Sequence, residues 1–230
     1  MSYITRPMVE NAIGKMRRFH AALQELYEYH GIDFLDDIGR RNMLMSRPQE
    51  KFFAAELQKI YAEAYSDGKT GQPDILIPEL DKELECKITS PHRGGGWGLQ
   101  SDHQSIVQKG KLDYLYMLCN WDFDEFAVFH FENLTVSDFR KPSPGSRGKV
   151  SLILRNAIDK CNILAGSIKN RNEVNLEKLH KKKNSIKINE SYLLKKVDKS
   201  INYWENSPNS FSIGLESFNR FTPEQDQFRV

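Results

Sequence analysis

Between Pro7 and Tyr27 apolar residues recur every three or four positions (Met8, Val9, Ala12, Ile13, Met16, Phe19, Leu23, Leu26), and Gly31 follows where a helix cap belongs. This pattern predicts a long amphipathic helix whose stripe suits core packing or a second copy of the chain. A second helix is expected from Ser46 as N-cap, entered through Pro48 and carrying Phe52, Phe53, Leu57, Ile60 and Tyr61, with a turn at Ser66-Asp67-Gly68. From Gln72 the period changes from helical to two. Ile75-Leu76-Ile77 is a short apolar run, and residues 82–88 alternate, with Leu84, Cys86 and Ile88 on one face and Glu83, Glu85 and Lys87 on the other. Two adjacent strands joined by a turn near residues 79–81 follow. A Gly-rich irregular stretch over 89–98, a helix near 102–110, strands at 112–119 and 125–131, a loop at 142–148 and a helix at 152–164 complete the expected core.

This order predicts an α/β fold, a mixed central β-sheet flanked by helices, read as one domain over 1–230. Within it, 1–46 forms an N-terminal helical region suited to dimerisation, 47–164 the core, and 165–230 a basic, helical C-terminal extension. The 230 residues can bury a sizeable core but leave little room for two full domains.

Charge refines this picture. Lys plus Arg total 33 against 31 Asp plus Glu, a net +2, so any polyanion-binding surface must come from clustering. Residues 165–200 hold nine Lys and one Arg against three Glu and one Asp, a local +6 that leaves −4 for the rest of the chain. No apolar stretch has the length of a membrane span, and the first residues lack a signal-peptide pattern, so a soluble intracellular protein with no membrane partner is expected. Cys86, Cys119 and Cys161 are widely spaced and read as buried free thiols.

The face of the second strand carries the chemistry. Glu85 and Lys87 project to one side, about 6.5–7 Å apart along the strand, and Asp74 stands at the start of the preceding strand. Two neighbouring strands thus bring two carboxylates together, an oxygen-rich site suited to Mg²⁺, with Mn²⁺ as a substitute and the Cys86 carbonyl as a further oxygen. Such a cation neutralises charge on a scissile phosphate, while Lys87 can orient or deprotonate water. The alternative is a hairpin whose polar face is merely solvated.

Pro73-Asp74, ten residues, then Glu85-Cys86-Lys87 resembles the PD-(D/E)xK nuclease superfamily over roughly residues 48–120. The resemblance implies a restriction-endonuclease-like core, with Asp74 and Glu85 as metal ligands and Lys87 as the catalytic lysine. It also implies a glutamate on the preceding helix, Glu50 or else Glu56, as a catalytic residue and possible ligand of a second metal. After the metal-site strand it implies a polar helix residue, Gln104 beside His103, with Lys109 further along the same helix. Compact size and added N- and C-terminal elements look most like a type II restriction endonuclease: a homodimer in the bacterial cytoplasm cutting double-stranded DNA to 5′-phosphate and 3′-hydroxyl ends. A repair nuclease of the same superfamily and a non-catalytic DNA-binding module remain as alternatives.

His92, Arg93 and Trp97 in the Gly-rich stretch are candidates for clamping or reading DNA, or else belong to a surface loop. Lys181, Lys182 and Lys183, with Arg40 and Arg41 in an expected loop, are candidates for phosphate contacts, although a solvated helix face also explains a lysine run. The Gly-rich stretch lacks the Gly-Lys-Ser/Thr ending of a phosphate-binding loop, so no nucleotide cofactor is expected.

Overall fold

Gly31, at φ +71°, ends helix α1 (Arg6–Tyr29). Its amide donates to the Glu28 carbonyl and that of Ile32 to the Tyr27 carbonyl, so the last carbonyls of the helix are satisfied by a left-handed residue that glycine adopts without strain. The computed structural model describes residues 2–69, 72–91, 96–187 and 190–216. After α1 come α2 (Ile38–Leu57), β1 (Ile75–Ile77), β2 (Lys82–Thr89), β3 (Gln100–Asp102), α3 (His103–Lys109), β4 (Leu112–Cys119), β5 (Phe126–Leu134), β6 (Lys149–Ser151), the single turn α4 (Leu154–Ala157) and β7 (Cys161–Ala165). The chain divides into two compact units, Met1–Gly166 with Leu215–Val230, and Ser167–Gly214. The second holds β8 (Ser167–Asn170), α5 (Arg171–Ser185), α6 (Ser191–Glu205) and β9 (Phe211–Gly214), with β8 and β9 pairing antiparallel.

The larger unit is built on a mixed five-stranded sheet in the order β1-β2-β4-β5-β7, in which only β2 and β4 run parallel. One face carries Leu84, Cys86, Leu115, Met117 and Val128 into a core shared with Val9, Ile13 and Met16 of α1 and Met45 and Phe53 of α2. The other face is also closed. Tyr114, Tyr116, Phe129 and Phe131 are fully buried, and the Tyr114 and Tyr116 hydroxyls reach Ser101 Oγ at 2.6 Å and the Gln100 carbonyl at 3.3 Å, tying β3 over the sheet. Burial on both faces is why 114–119 reads as a continuous apolar run rather than an alternating strand.

Two elements differ from the sequence expectation. Helix α2 starts at Ile38, capped by the Asp37 side chain, and runs through Pro48 rather than beginning there. The missing proline donor costs one ladder bond, which this helix sustains with Met45, Pro48, Phe53 and Leu57 buried. Residues 161–165 are a strand, not the end of a helix, because Phe131 pairs with Cys161 and Val128 with Ala165 on β5. Long-range ladder bonds override the local helical pattern there, and what remains helical is the turn α4 and a 3₁₀ turn over Ile158–Lys160. Among the described residues no helix is long and apolar enough to cross a membrane.

Packing also fixes two neutral histidines. Burial pushes His130 and His20 down to about 4, and the Nε2 of each lacks a hydrogen-bond partner among the described residues. A histidine with a folded pKa below its unfolded 6.5 leaves stability intact above pH 6.5 and withdraws it as pH falls from 6.5 towards 4, since the unfolded chain takes the proton first. Each site then removes at most about 3 kcal/mol. Thermal melts across pH 7 to 4 are expected to show this loss, and His130→Asn, which keeps an acceptor for Ser2, is expected to shrink it. An unchanged pH profile in that variant would refute the assignment.

Candidate active site

The register of two short strands assembles the acidic pair. Ile75 pairs with Leu84 and Ile77 with Lys82, so the antiparallel ladder carried one residue further sets Asp74 opposite Glu85. A 3₁₀ turn, Pro78–Leu80, and Asp81 in the left-handed region at φ 50° close the hairpin. Lys87 lies two residues beyond Glu85, on the same side of β2. Its Nζ is 2.5 Å from Glu85 Oε1 and 3.9 Å from Asp74 Oδ2, and Asp74 Oδ2 accepts a 2.7 Å hydrogen bond from the Cys86 amide.

These contacts shift both charges upward. Burial and then the Glu85 charge push Asp74 up to about 6, with Glu50 adding in the same direction, against the opposing pull of Lys87 and the Cys86 amide. For Lys87 burial acts to lower the value, but Glu85 and Asp74 outweigh it and the ammonium is held above its usual range. Lys87 is therefore a cationic hydrogen-bond donor in this arrangement rather than a base.

The donor set fits a hard cation in part. Asp74 and Glu85 supply two carboxylates. The Cys86 amide points to the side where β1 has ended, and in extended backbone its carbonyl points the same way, free of a strand partner there. Among the described residues no group of three His, Cys, Asp or Glu side chains stands ready to hold a metal by itself. Glu50, the third carboxylate, is close enough to raise Asp74 but is engaged elsewhere: Arg47 Nη1 lies 2.6 Å from its Oε2, and Arg47 also binds Ser66 Oγ at 2.6 Å. Sequence reasoning missed Arg47 and Ser66, although Arg47 lies three residues before Glu50, the spacing of a helical ion pair. The other glutamate considered, Glu56, is a structural anchor: fully buried, it receives Lys15 at 2.7 Å, Lys59 at 2.6 Å and Asn11 at 3.2 Å.

Of the remaining candidates, His103 and Gln104 open α3 under the Asp102 cap, whose carboxylate accepts from the Gln104 and Ser105 amides. The same segment is tied to β4 through the Ser101–Tyr114 hydroxyl pair, and the charges of Glu85, Asp102 and Asp74 all act on Tyr114. Helix α3 therefore begins on the Glu85 side of the sheet. Lys109, at its far end, pairs with Glu83 at 2.6 Å. It lines a cleft of about 370 Å³ with Lys82, Lys111 and Asp113, which does not include the Asp74–Glu85 pair. Trp97 is half-buried, and His92 and Arg93 lie outside the described residues.

Arg41 requires correction. It is not in a loop but on α2, with no exposed surface, and its guanidinium binds the Trp121 and Asn120 carbonyls, Ser90 Oγ at 2.5 Å and Cys119 Sγ at 3.5 Å. It knits α2 to the ends of β2 and β4 and cannot meet a phosphate. Arg40 is also helical but exposed, and it pairs with Asp37 at 3.2 Å. Lys181, Lys182 and Lys183 lie near the end of α5 in the second unit, where Lys183 pairs with Asp198 at 2.6 Å. Comparison with protein-family models, with curated proteins and with solved structures returns no match to this chain.

Asp74 offers a test of the geometry that needs no substrate. A carboxyl raised from 3.8 to about 6 by folding holds its proton more tightly in the folded state, so stability declines as pH rises through that interval and the penalty is complete at pH 7. Asp74→Asn keeps an acceptor for the Cys86 amide and removes the charge. It is expected to stabilise the protein at pH 7 by up to about 3 kcal/mol and to lose that gain near pH 4. Urea denaturation at the two pH values measures the difference, and equal stability of variant and wild type at pH 7 would contradict it.

Proposed function

We propose that this protein is a Mg²⁺-dependent endonuclease of double-stranded DNA, acting at a specific sequence in the manner of a type II restriction enzyme in the bacterial cytoplasm. The observation that carries the reading is the juxtaposition of Asp74, Glu85 and the Lys87 ammonium on adjacent strands of a mixed sheet. The resemblance of Pro73-Asp74…Glu85-Cys86-Lys87 to the PD-(D/E)xK pattern supports it, as does the basic segment over 165–200.

Asp74, Glu85 and the Cys86 carbonyl are the groups that would hold the cation, with Glu50 as a further carboxylate once released from Arg47. Bound there, magnesium would supply Lewis-acid stabilisation of charge on the phosphate and a more acidic water. The chain's own contribution is electrostatic and positional. Lys87 offers N–H donors to a water or phosphate oxygen from a partly buried position, where such an interaction is stronger than in solvent. Water attacks phosphorus opposite the 3′ oxygen, the P–O3′ bond breaks, and the leaving oxygen takes a proton, giving 5′-phosphate and 3′-hydroxyl ends. A homodimer would match a two-fold DNA site. The end of α1 and the turn after it support such a contact, with Leu26 and Tyr29 of the helix and Ile32 beyond it exposed by 53%, 84% and 55%.

Digestion of phage-length DNA by the purified protein is expected to give discrete fragments with Mg²⁺ and none with chelator. Glu85→Ala is expected to abolish cutting, and Lys87→Ala to slow it by on the order of 10²–10³-fold. Full cleavage by either variant would remove the site assignment. Intact DNA after incubation with wild type, in a preparation that binds duplex, would favour a non-catalytic module.

A further inference from the structure

The outer face of α6 carries a row of cationic and aromatic side chains. Tyr192, Lys196, Lys199 and Tyr203 fall at intervals of four, three and four residues, so at about 100° per residue they form one stripe down the helix, with Lys195 at its margin. The helix buries the opposite side through Val197 and Ile201. The tyrosines at the two ends of the stripe are 75% and 64% exposed. Among the described residues none of the three lysines makes an ion pair. The acidic residues of the helix, Asp198 and Glu205, lie about 120–140° round from the stripe, and Asp198 is already engaged by Lys183.

Folding does not account for this face. Lys195 and Lys199, four apart, and Lys196 and Lys199, three apart, repel one another on the helix surface. Tyr192, 75% exposed, buries little, and Tyr203 meets only the edge of Trp204 at 5.1 Å. Both features suit a polyanion instead, because unpaired ammoniums neutralise phosphates and phenol hydroxyls donate to phosphate oxygens. The row spans about 16 Å, which matches an extended ligand better than a single anion. A bilayer is the poorer match: a helix lying in a membrane needs a row of large apolar side chains beside its cations, and here Val197 and Ile201 are buried and leave Leu193, 41% exposed, as the exposed aliphatic side chain of the helix.

We infer that the stripe of Tyr192, Lys195, Lys196, Lys199 and Tyr203 is a docking surface for the phosphate backbone of duplex DNA, contacting it without reading sequence. This goes beyond the proposed hydrolysis. It shares with that reading the duplex and the basic segment 165–200 but none of the residues of the proposed metal site, and it moves the centre of phosphate contact from the Lys181–Lys183 run to the following helix.

The test uses the full chain in chelator, so that no cutting occurs, with a fluorescent duplex of random sequence and anisotropy read against salt concentration. The wild type is expected to bind with a steep salt dependence. The triple variant Lys195→Gln/Lys196→Gln/Lys199→Gln is expected to lower the log–log slope by about 2 to 3, near 0.9 per lost phosphate contact. The triple arginine variant retains the slope. The double variant Tyr192→Ala/Tyr203→Ala is expected to weaken binding several-fold with the slope nearly unchanged, and circular dichroism checks that each variant keeps its helices. Failure of the wild type to bind at low salt would overturn the inference, as would a glutamine variant with wild-type affinity and slope. So would a variant that loses only binding to phosphatidylserine vesicles. A protein that binds with this slope yet never cuts in Mg²⁺ would remove the hydrolysis reading and leave this one standing.

Discussion

The pairing of β1 with β2 is the constraint on which the site depends. Ile75, Ile77 and Leu84 are completely buried, and all three belong to the core beneath the sheet. A slip of β1 by one residue would turn Ile75 and Ile77 to the opposite face and take Asp74 away from Glu85. Burying one such side chain contributes about 1.5–3 kcal/mol, so Ile75 and Ile77 together offset the penalty of up to about 3 kcal/mol for holding Asp74 charged, which arises from burial first and from Glu85 second. Hydrophobic packing thus enforces a meeting of like charges that electrostatics alone would undo.

The same accounting explains what was legible in the sequence. Strict alternation across Leu84, Glu85, Cys86, Lys87 and Ile88 reports directly which side chains share a face, so the acidic pair and the lysine were readable without the fold. The start of α2 was not readable, because Arg41, its first buried position, is polar, as are Gln49 and Glu56 further along. A search for apolar periodicity skips all three, and each is held by polar partners that only the folded chain supplies. Strand β7 was hidden for a related reason, since its identity rests on pairing with β5, about thirty residues away. The continuous apolar run of β4 announced a doubly covered strand, while the cover on its second face, anchored through Ser101, carried no such signal.

Arg41 and Glu56 also divide the structural labour of α2. Glu56 fastens the helix to α1 through Lys15 and Asn11, while Arg41 fastens its opposite end to the chain leaving β2 and β4. Arg47 and Glu50 lie between these two anchors. The Arg47 guanidinium is pressed so closely on the Ser66-Asp67-Gly68 turn that a Cβ at residue 68, itself at φ +71°, would fall 2.4 Å from Arg47 Cζ. The backbone conformation favours glycine there, and a Cβ would displace the end of the Arg47 side chain.

The charge balance around the carboxylates connects the site to the remainder of the chain. Asp74, Glu85 and Glu50 face the two cations Lys87 and Arg47, which leaves the cluster with one excess negative charge when all are ionised. That sign favours a divalent cation and disfavours a phosphate backbone. A protein whose reactive centre repels its proposed substrate must obtain affinity from other residues, and local clustering is the available source because the chain as a whole carries only +2. The +6 of residues 165–200 meets that requirement, set against −4 for everything else. In the proposed reading, separating the attractive charge from the reactive charge would let each be tuned alone: lysines on a compact unit would raise encounter and retention of a duplex, and the carboxylates would keep the local potential that a metal ion needs.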